Sequence, residues 1–261
     1  MENINWFKQA PDKPLFEDIL WSRPENRMHA GKLLVIGGNK HLVAAPGIAY
    51  SASGKAGIGT ARALLPDSTK RMIGKVFPEA EFAPSTPSGS FAREALDHFL
   101  DLANWADGVL LAGDFGRNSE TAILLESFAQ KYSGQLTVAG DAVDYFLSKK
   151  SLLFERENTL AVINFGKLQK LAQNNRPQPP IKYEMNMHQL VEILQEWKIN
   201  LITNHADMFV AATADGKVST SKMSQDLNWQ VELPAYAATW WLQQSAKTFE
   251  ALTTAIYCYE T

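Results

Sequence analysis

At 261 residues the chain has room for one large α/β domain or two small ones. Hydrophobic residues make up 46% and charged residues 20%, the proportions of a globular protein with a sizeable core. A formal charge of −3 argues against nucleic-acid and polybasic membrane partners, and the single cysteine, Cys258, excludes an internal disulfide framework.

The first residues carry neither a basic region nor an apolar segment behind it, and no apolar run approaches the roughly 20 residues that span a bilayer. The expectation is a cytoplasmic protein with no membrane partner. Residues 1–30, punctuated by Pro11, Pro14 and Pro24, read as an N-terminal arm. Residues 32–36 are an apolar run ended by Gly37-Gly38, the pattern of a strand buried on both faces. Residues 45–55 read as a helix whose small side chains let it lie close to a sheet, and 60–65 as the next strand. A loop at 84–90 precedes a helix over 91–105, a strand over 108–112, a helix over 119–132 and a strand over 135–139. Strand 158–163, helix 167–173, a Pro/Asn loop at 174–180 and helix 187–197 follow. A strand begins at 200–203, and 208–212 with 217–220 form a hairpin turned at Asp215-Gly216. Helices over 234–244 and 248–257 close the chain, placing Cys258 in an apolar helical run. Strands alternating with helices imply βαβ units with right-handed crossovers.

In an open α/β sheet ligands gather outside the carboxyl ends of the strands. The turns to inspect are therefore Gly37-Gly38-Asn39-Lys40, residues 113–118, Gly140-Asp141, Asn164-Phe165-Gly166 and Asn204-His205. Glycine recurs in four of the five, which suits close backbone approach and suits a strand-to-helix turn equally well. No Walker A sequence and no Gly-x-Gly-x-x-Gly follows the first strand, and the five histidines lack metal-ligand spacing.

The order of these turns resembles the ADP- or ATP-dependent NAD(P)H-hydrate dehydratases of the ribokinase-like superfamily. Met28-His29-Ala30-Gly31-Lys32, leading to Val35-Ile36-Gly37-Gly38-Asn39, is similar to that family's opening strand, which ends in VIGGS. Ala45-Pro46-Gly47 and the small residues up to Gly59 resemble its GAPALAALAALRAGAG segment. Gly113-Asp114-Phe115-Gly116-Arg117 stands where the family has GPGLGR, and Asp141 stands for the second aspartate of DADAL. The later motifs depart. TPHPGE is here Ile163-Asn164-Phe165-Gly166-Lys167, LKG is Thr203-Asn204-His205, and GTGD is Trp229-Gln230-Val231-Glu232.

The resemblance, which runs over residues 23–261, implies a three-layer α/β/α ribokinase-like fold with a mostly parallel central sheet, residues 1–261 forming one domain. It implies ADP or ATP with Mg2+, hydrated NADH or NADPH as substrate, and a possible homo-oligomer. The binding residues it points to are Gly37, Gly38, Asn39, Pro46, Gly113, Asp114, Gly116, Arg117, Asp141, Asn164, Gly166 and Asn204, with Glu232 as catalytic carboxylate. Other readings stand beside these: Asp141 as a turn or cap residue, Arg117 and Asn118 as helix-start residues, and Glu232 as a helix-start acid favoured by the macrodipole. Trp229 and Val231 would crowd a nucleotide phosphate. Trp229, Trp240 and Trp241 favour a non-catalytic nucleotide-binding or interaction protein on the same scaffold.

Overall fold

The computed structural model describes residues 5–147, 152–174, 179–224 and 228–261. Part of the expected 174–180 loop therefore lies outside the described residues. In chain order the elements are β1 (Trp6–Gln9), α1 (Glu17–Trp21), β2 (Lys32–Gly37), α2 (Ala44–Lys55), β3 (Thr60–Pro66), α3 (Lys70–Ile73), β4 (Ala80–Ala83), α4 (Leu96–Trp105) and β5 (Gly108–Gly113). Then come α5 (Ser119–Lys131), β6 (Gln135–Val138), α6 (Leu152–Glu155), β7 (Thr159–Val162), α7 (Phe165–Asn174), α8 (Met187–Gln195), β8 (Asn200–His205), β9 (Met208–Ala212), β10 (Val218–Lys222), α9 (Trp229–Gln243) and α10 (Thr248–Glu260).

Among these residues ten strands form one sheet in the order β1-β10-β9-β8-β7-β6-β5-β2-β3-β4. Pairing is parallel throughout except where β9 meets β8 and β10, the hairpin read from Asp215-Gly216. The central strands are apolar on both sides because helices cover both faces. Leu34, Ile36, Val109 and Leu111 point into a core shared with Phe99 of α4, Phe128 of α5, Leu168 of α7 and Leu194 of α8. Leu33, Val35, Leu110 and Ala112 point the other way, toward Ala49 of α2, Trp240 of α9 and Leu252 of α10. The layering is α/β/α.

The expected N-terminal arm is partly an edge strand. β1 runs parallel to β10, with Trp6 opposite Val218 and the Trp6 indole donating to Thr220 Oγ1 at 3.1 Å. Four residues of weak periodicity gave no sign of that distant partner. The last but one helix also starts earlier than expected, at Trp229, so Pro234 sits inside α9.

Candidate functional site

β2 lies between β3 and β5, so successive crossovers leave it in opposite directions. In doubly wound sheets such a reversal marks the place where ligands gather, here outside the carboxyl ends of β2 and β5. There the backbones meet closely: the Gly38 amide donates to the Gly113 carbonyl at 2.9 Å. A Cβ on Gly37 would lie 2.4 Å from that same carbonyl oxygen, and one on Gly140 would lie 2.8 Å from the Ala112 carbonyl. Glycine is required at both positions by contact, whatever the ligand.

Asp114 follows with φ +62°, a left-handed conformation that aspartate tolerates better than most residues. Its carboxylate accepts from the Ala45 amide at 2.7 Å, in the first turn of α2 beside Pro46. Its carbonyl accepts from the Asn39 side-chain amide at 2.6 Å, while Asn39 Oδ1 accepts from the His41 amide at 2.8 Å. Asp141 grips the same turn from below, accepting from the Phe115 amide at 3.1 Å and the Gly116 amide at 3.0 Å. Burial raises the Asp141 carboxyl above its ordinary value, against the lowering effect of those two hydrogen bonds. The Tyr145 hydroxyl donates to the Gly116 carbonyl. Gly37, Gly38, Asn39, Pro46, Gly113, Asp114, Gly116 and Asp141 are thus gathered in one place. Arg117 is exposed just beyond them, and Asn118 caps α5, accepting from the Glu120 amide at 2.8 Å.

A second group forms at the carboxyl ends of β7 and β8. Asn204 Oδ1 accepts from the Phe165 amide at 3.3 Å, and Asn164 Oδ1 from the Lys167 amide at 3.0 Å. Asn204 is the penultimate residue of β8 rather than part of a turn. The Asn164 side-chain amide donates to Gln230 Oε1 at 3.2 Å, tying this group to the start of α9. Gly166 is exposed in the first turn of α7. Lys167 joins the two groups: its Nζ donates to the Gly140 carbonyl at 2.6 Å and lies 3.2 Å from Asp144. Family matching passed over this lysine, because its partners come from a turn more than twenty residues away in sequence.

Glu232 sits half-buried in the first turn of α9, where its charge adds to burial in raising the Tyr236 hydroxyl. The amides of Val231 and Glu232 both donate to the Asn228 carbonyl, at 2.9 and 3.1 Å. Trp229 is buried against Phe209, ring centroids 5.2 Å apart, so it fills the core rather than crowding a phosphate position. Trp240 is also core, at 1% exposure, and Trp241 is buried with its indole donating to Thr248 Oγ1 at 3.1 Å. Their burial makes these aromatics core packing, which removes them as support for an interaction surface.

Among the described residues no cluster of three or more His, Cys, Asp or Glu side chains could hold a metal ion, and no helix is long and apolar enough to cross a membrane. The architecture, a mostly parallel sheet between helical layers, is that of the ribokinase-like α/β fold. The chain superimposes on a ribokinase-like superfamily protein from Enterococcus faecalis with a TM-score of 0.73 at 16% identity, over 98% of this chain and 87% of that one. It superimposes on the ADP/ATP-dependent NAD(P)H-hydrate dehydratase from Bacillus subtilis, co-crystallised with ATP/Mg2+, with a TM-score of 0.67 at 12% identity, over 95% and 87% of the two chains. In sequence it is 35% identical over 92 residues to the bifunctional NAD(P)H-hydrate repair enzyme Nnr of Methanothermobacter thermautotrophicus, and 32% identical over 114 residues to that of Methanocaldococcus jannaschii. Those stretches are 35% and 43% of this chain but only 18% and 22% of the relatives. No family model matches the chain.

Proposed function

We propose that this chain is an NAD(P)H-hydrate dehydratase-like protein that holds hydrated NADH or NADPH at the β2/β5 crevice. The observation that carries the reading is the Asp141 clamp on the Phe115 and Gly116 amides, at 3.1 and 3.0 Å. It fixes a glycine-lined turn in which Gly37, Gly113 and Gly140 meet backbone to backbone, with no side chain of theirs between a large polar ligand and the main chain. The partial likeness to the two archaeal repair enzymes supports it. On this reading Gly37, Gly38, Asn39, Pro46, Gly113, Asp114, Gly116, Arg117 and Asp141 line the substrate, and Asn164, Gly166 and Asn204 the opposite wall. Glu232 is the carboxylate that would take the proton of the reacting hydroxyl.

ADP or ATP with Mg2+ is the co-substrate that the resemblance implies. A helix N-terminus holds phosphate through free amides. In α9 the amides of Val231 and Glu232 make the helix's first bonds, to the Asn228 carbonyl, and Trp229 and Val231 stand where the family has glycine, so these residues do not fit a transferring phosphate in the family's manner. Asp114 occupies the Ala45 amide in the first turn of α2, so that amide is not free for a phosphate. We derive no step through the nucleotide. That geometry favours a second reading, a non-catalytic nucleotide-binding or interaction protein on the same fold.

The deciding experiment is dehydration of hydrated NADPH by the purified protein with ADP or ATP and magnesium, beside an active dehydratase as control. Recovery of NADPH absorbance that is lost in Glu232→Gln supports the enzyme. A flat trace from folded protein that still binds ADP supports the second reading.

A further inference from the structure

Beside the β2/β5 crevice, on the side away from β5, lies an apolar groove of about 340 Å³ between α2 and the segment following α3. Its walls include Val43, Gly47, Tyr50, Leu65, Val76 and Phe77. It borders the candidate site: Val43 and Leu65, which line it, are the side chains that a Cβ on Gly38 would meet, at 3.3 and 3.4 Å. Tyr50 and Phe77 pack edge to face with centroids 4.7 Å apart, giving the groove an aromatic wall. Glu79 stands at the rim, and its charge acts on the Tyr50 hydroxyl. On the floor, Gly47 leaves open space: a Cβ built there meets nothing within 4 Å.

An apolar, aromatic-walled cavity of this size with one carboxylate at its mouth matches a flat ring that carries N–H donors. We infer that the groove between α2 and the Phe77 segment binds a planar heteroaromatic base, with Glu79 accepting from its exocyclic amine. The inference rests on the reading of the β2/β5 crevice as a nucleotide-type site, and it places one base of a dinucleotide there. The base lies against Tyr50 and Phe77 while the sugar reaches back over Val43 toward Gly38 and Asn39.

Gly47 offers a test that leaves the fold intact. It sits in a helix, its side-chain direction is empty, and leucine raises helix propensity there. Gly54, about two turns further along α2, also has nothing within 4 Å and does not line the groove. Titration calorimetry would measure adenosine and NADPH binding to wild type, Gly47→Leu and Gly54→Leu, each checked by thermal melting and sedimentation velocity. The inference expects adenosine to bind wild type and Gly54→Leu alike, and Gly47→Leu to bind about tenfold or more weakly. Equal adenosine affinity in Gly47→Leu, or none in wild type, overturns it. A change of sedimentation with no change in binding also overturns it, assigning the groove to a second copy of the chain. NADPH binding untouched by Gly47→Leu would remove the base site and leave the crevice reading standing. Adenosine binding sensitive to Gly47→Leu, without NADPH binding or dehydration, would do the reverse.

Discussion

The carboxylate of Asp114 accepts the Ala45 amide at 2.7 Å, so the strand end of β5 supplies the counter-charge for the first turn of α2. The arrangement holds even though Asp114 must adopt φ +62° to reach it. Removing the acceptor in Asp114→Ala is expected to cost about 0.5–2 kcal/mol, the range for losing a helix cap. Asp114→Gly loses the same bond but takes the left-handed conformation without strain, so it is expected to be the more stable of the two. Urea unfolding of both variants checks the order, and equal stability would show that the backbone conformation is not strained.

Asp141 gives a pH signature. Its carboxyl is raised above the ordinary 3.8 chiefly by burial, so the folded state holds the proton more tightly than the unfolded chain does. Its contribution to stability is therefore fully present below 3.8 and is lost as pH rises through the raised folded value. Asp141→Asn is expected to flatten that part of the stability profile. Chemical unfolding at a series of pH values compares the two proteins, and parallel profiles would place the effect elsewhere. Asp141→Ala also strips both turn amides of their acceptor, at a cost of about 1–3 kcal/mol.

Two glycines are expected to respond in opposite directions. Gly37→Ala drives a Cβ to 2.4 Å from the Gly113 carbonyl, where backbone on both strands must give way. A loss of about 1–3 kcal/mol, with looser β2–β5 pairing, is expected from such overpacking. Gly47→Ala meets nothing and gains up to about 1 kcal/mol from helix propensity. Melting temperatures on either side of wild type bear this out, and two downward shifts would contradict the open space at Gly47.

Cys258 is expected to be a slow thiol. Burial pushes it up from 9.0 to about 11. At pH 8 the thiolate fraction falls from roughly one in ten to about one in a thousand. Alkylation by iodoacetamide should then run on the order of a hundredfold slower in native than in urea-unfolded protein. Equal rates would mean that the α10 end opens freely. The linked stability is present below 9.0 and fades as pH climbs through about 11.

The parallel core was legible because doubly buried strands leave unbroken apolar runs, and β2, β5, β6 and β7 begin and end within about two residues of where those runs place them. The glycines after β2 and β5 were legible as punctuation, and the reversal between those strands gives the punctuation its geometric reason. Asp141 was singled out by its strand-end turn and by resemblance, and its grip on the Phe115 and Gly116 amides is invisible without the fold. β1, β4 and α3 were missed because four-residue elements show no usable period. Pro234 misplaced the start of α9. Proline favours a helix's first turn, yet here it follows Trp229, whose burial against Phe209 draws the helix backward.

The edge pairing of Trp6 with Val218 sets an order of events during synthesis. Among the described strands β1 is made before the others, and its partner after them. It must stay unpaired while β2, β3 and β5 assemble around their own nearby crossovers. A nascent chain arrested before β10 is therefore expected to carry β1 unpaired, with Trp6 and Phe7 exposed to chaperones until the β9–β10 hairpin emerges.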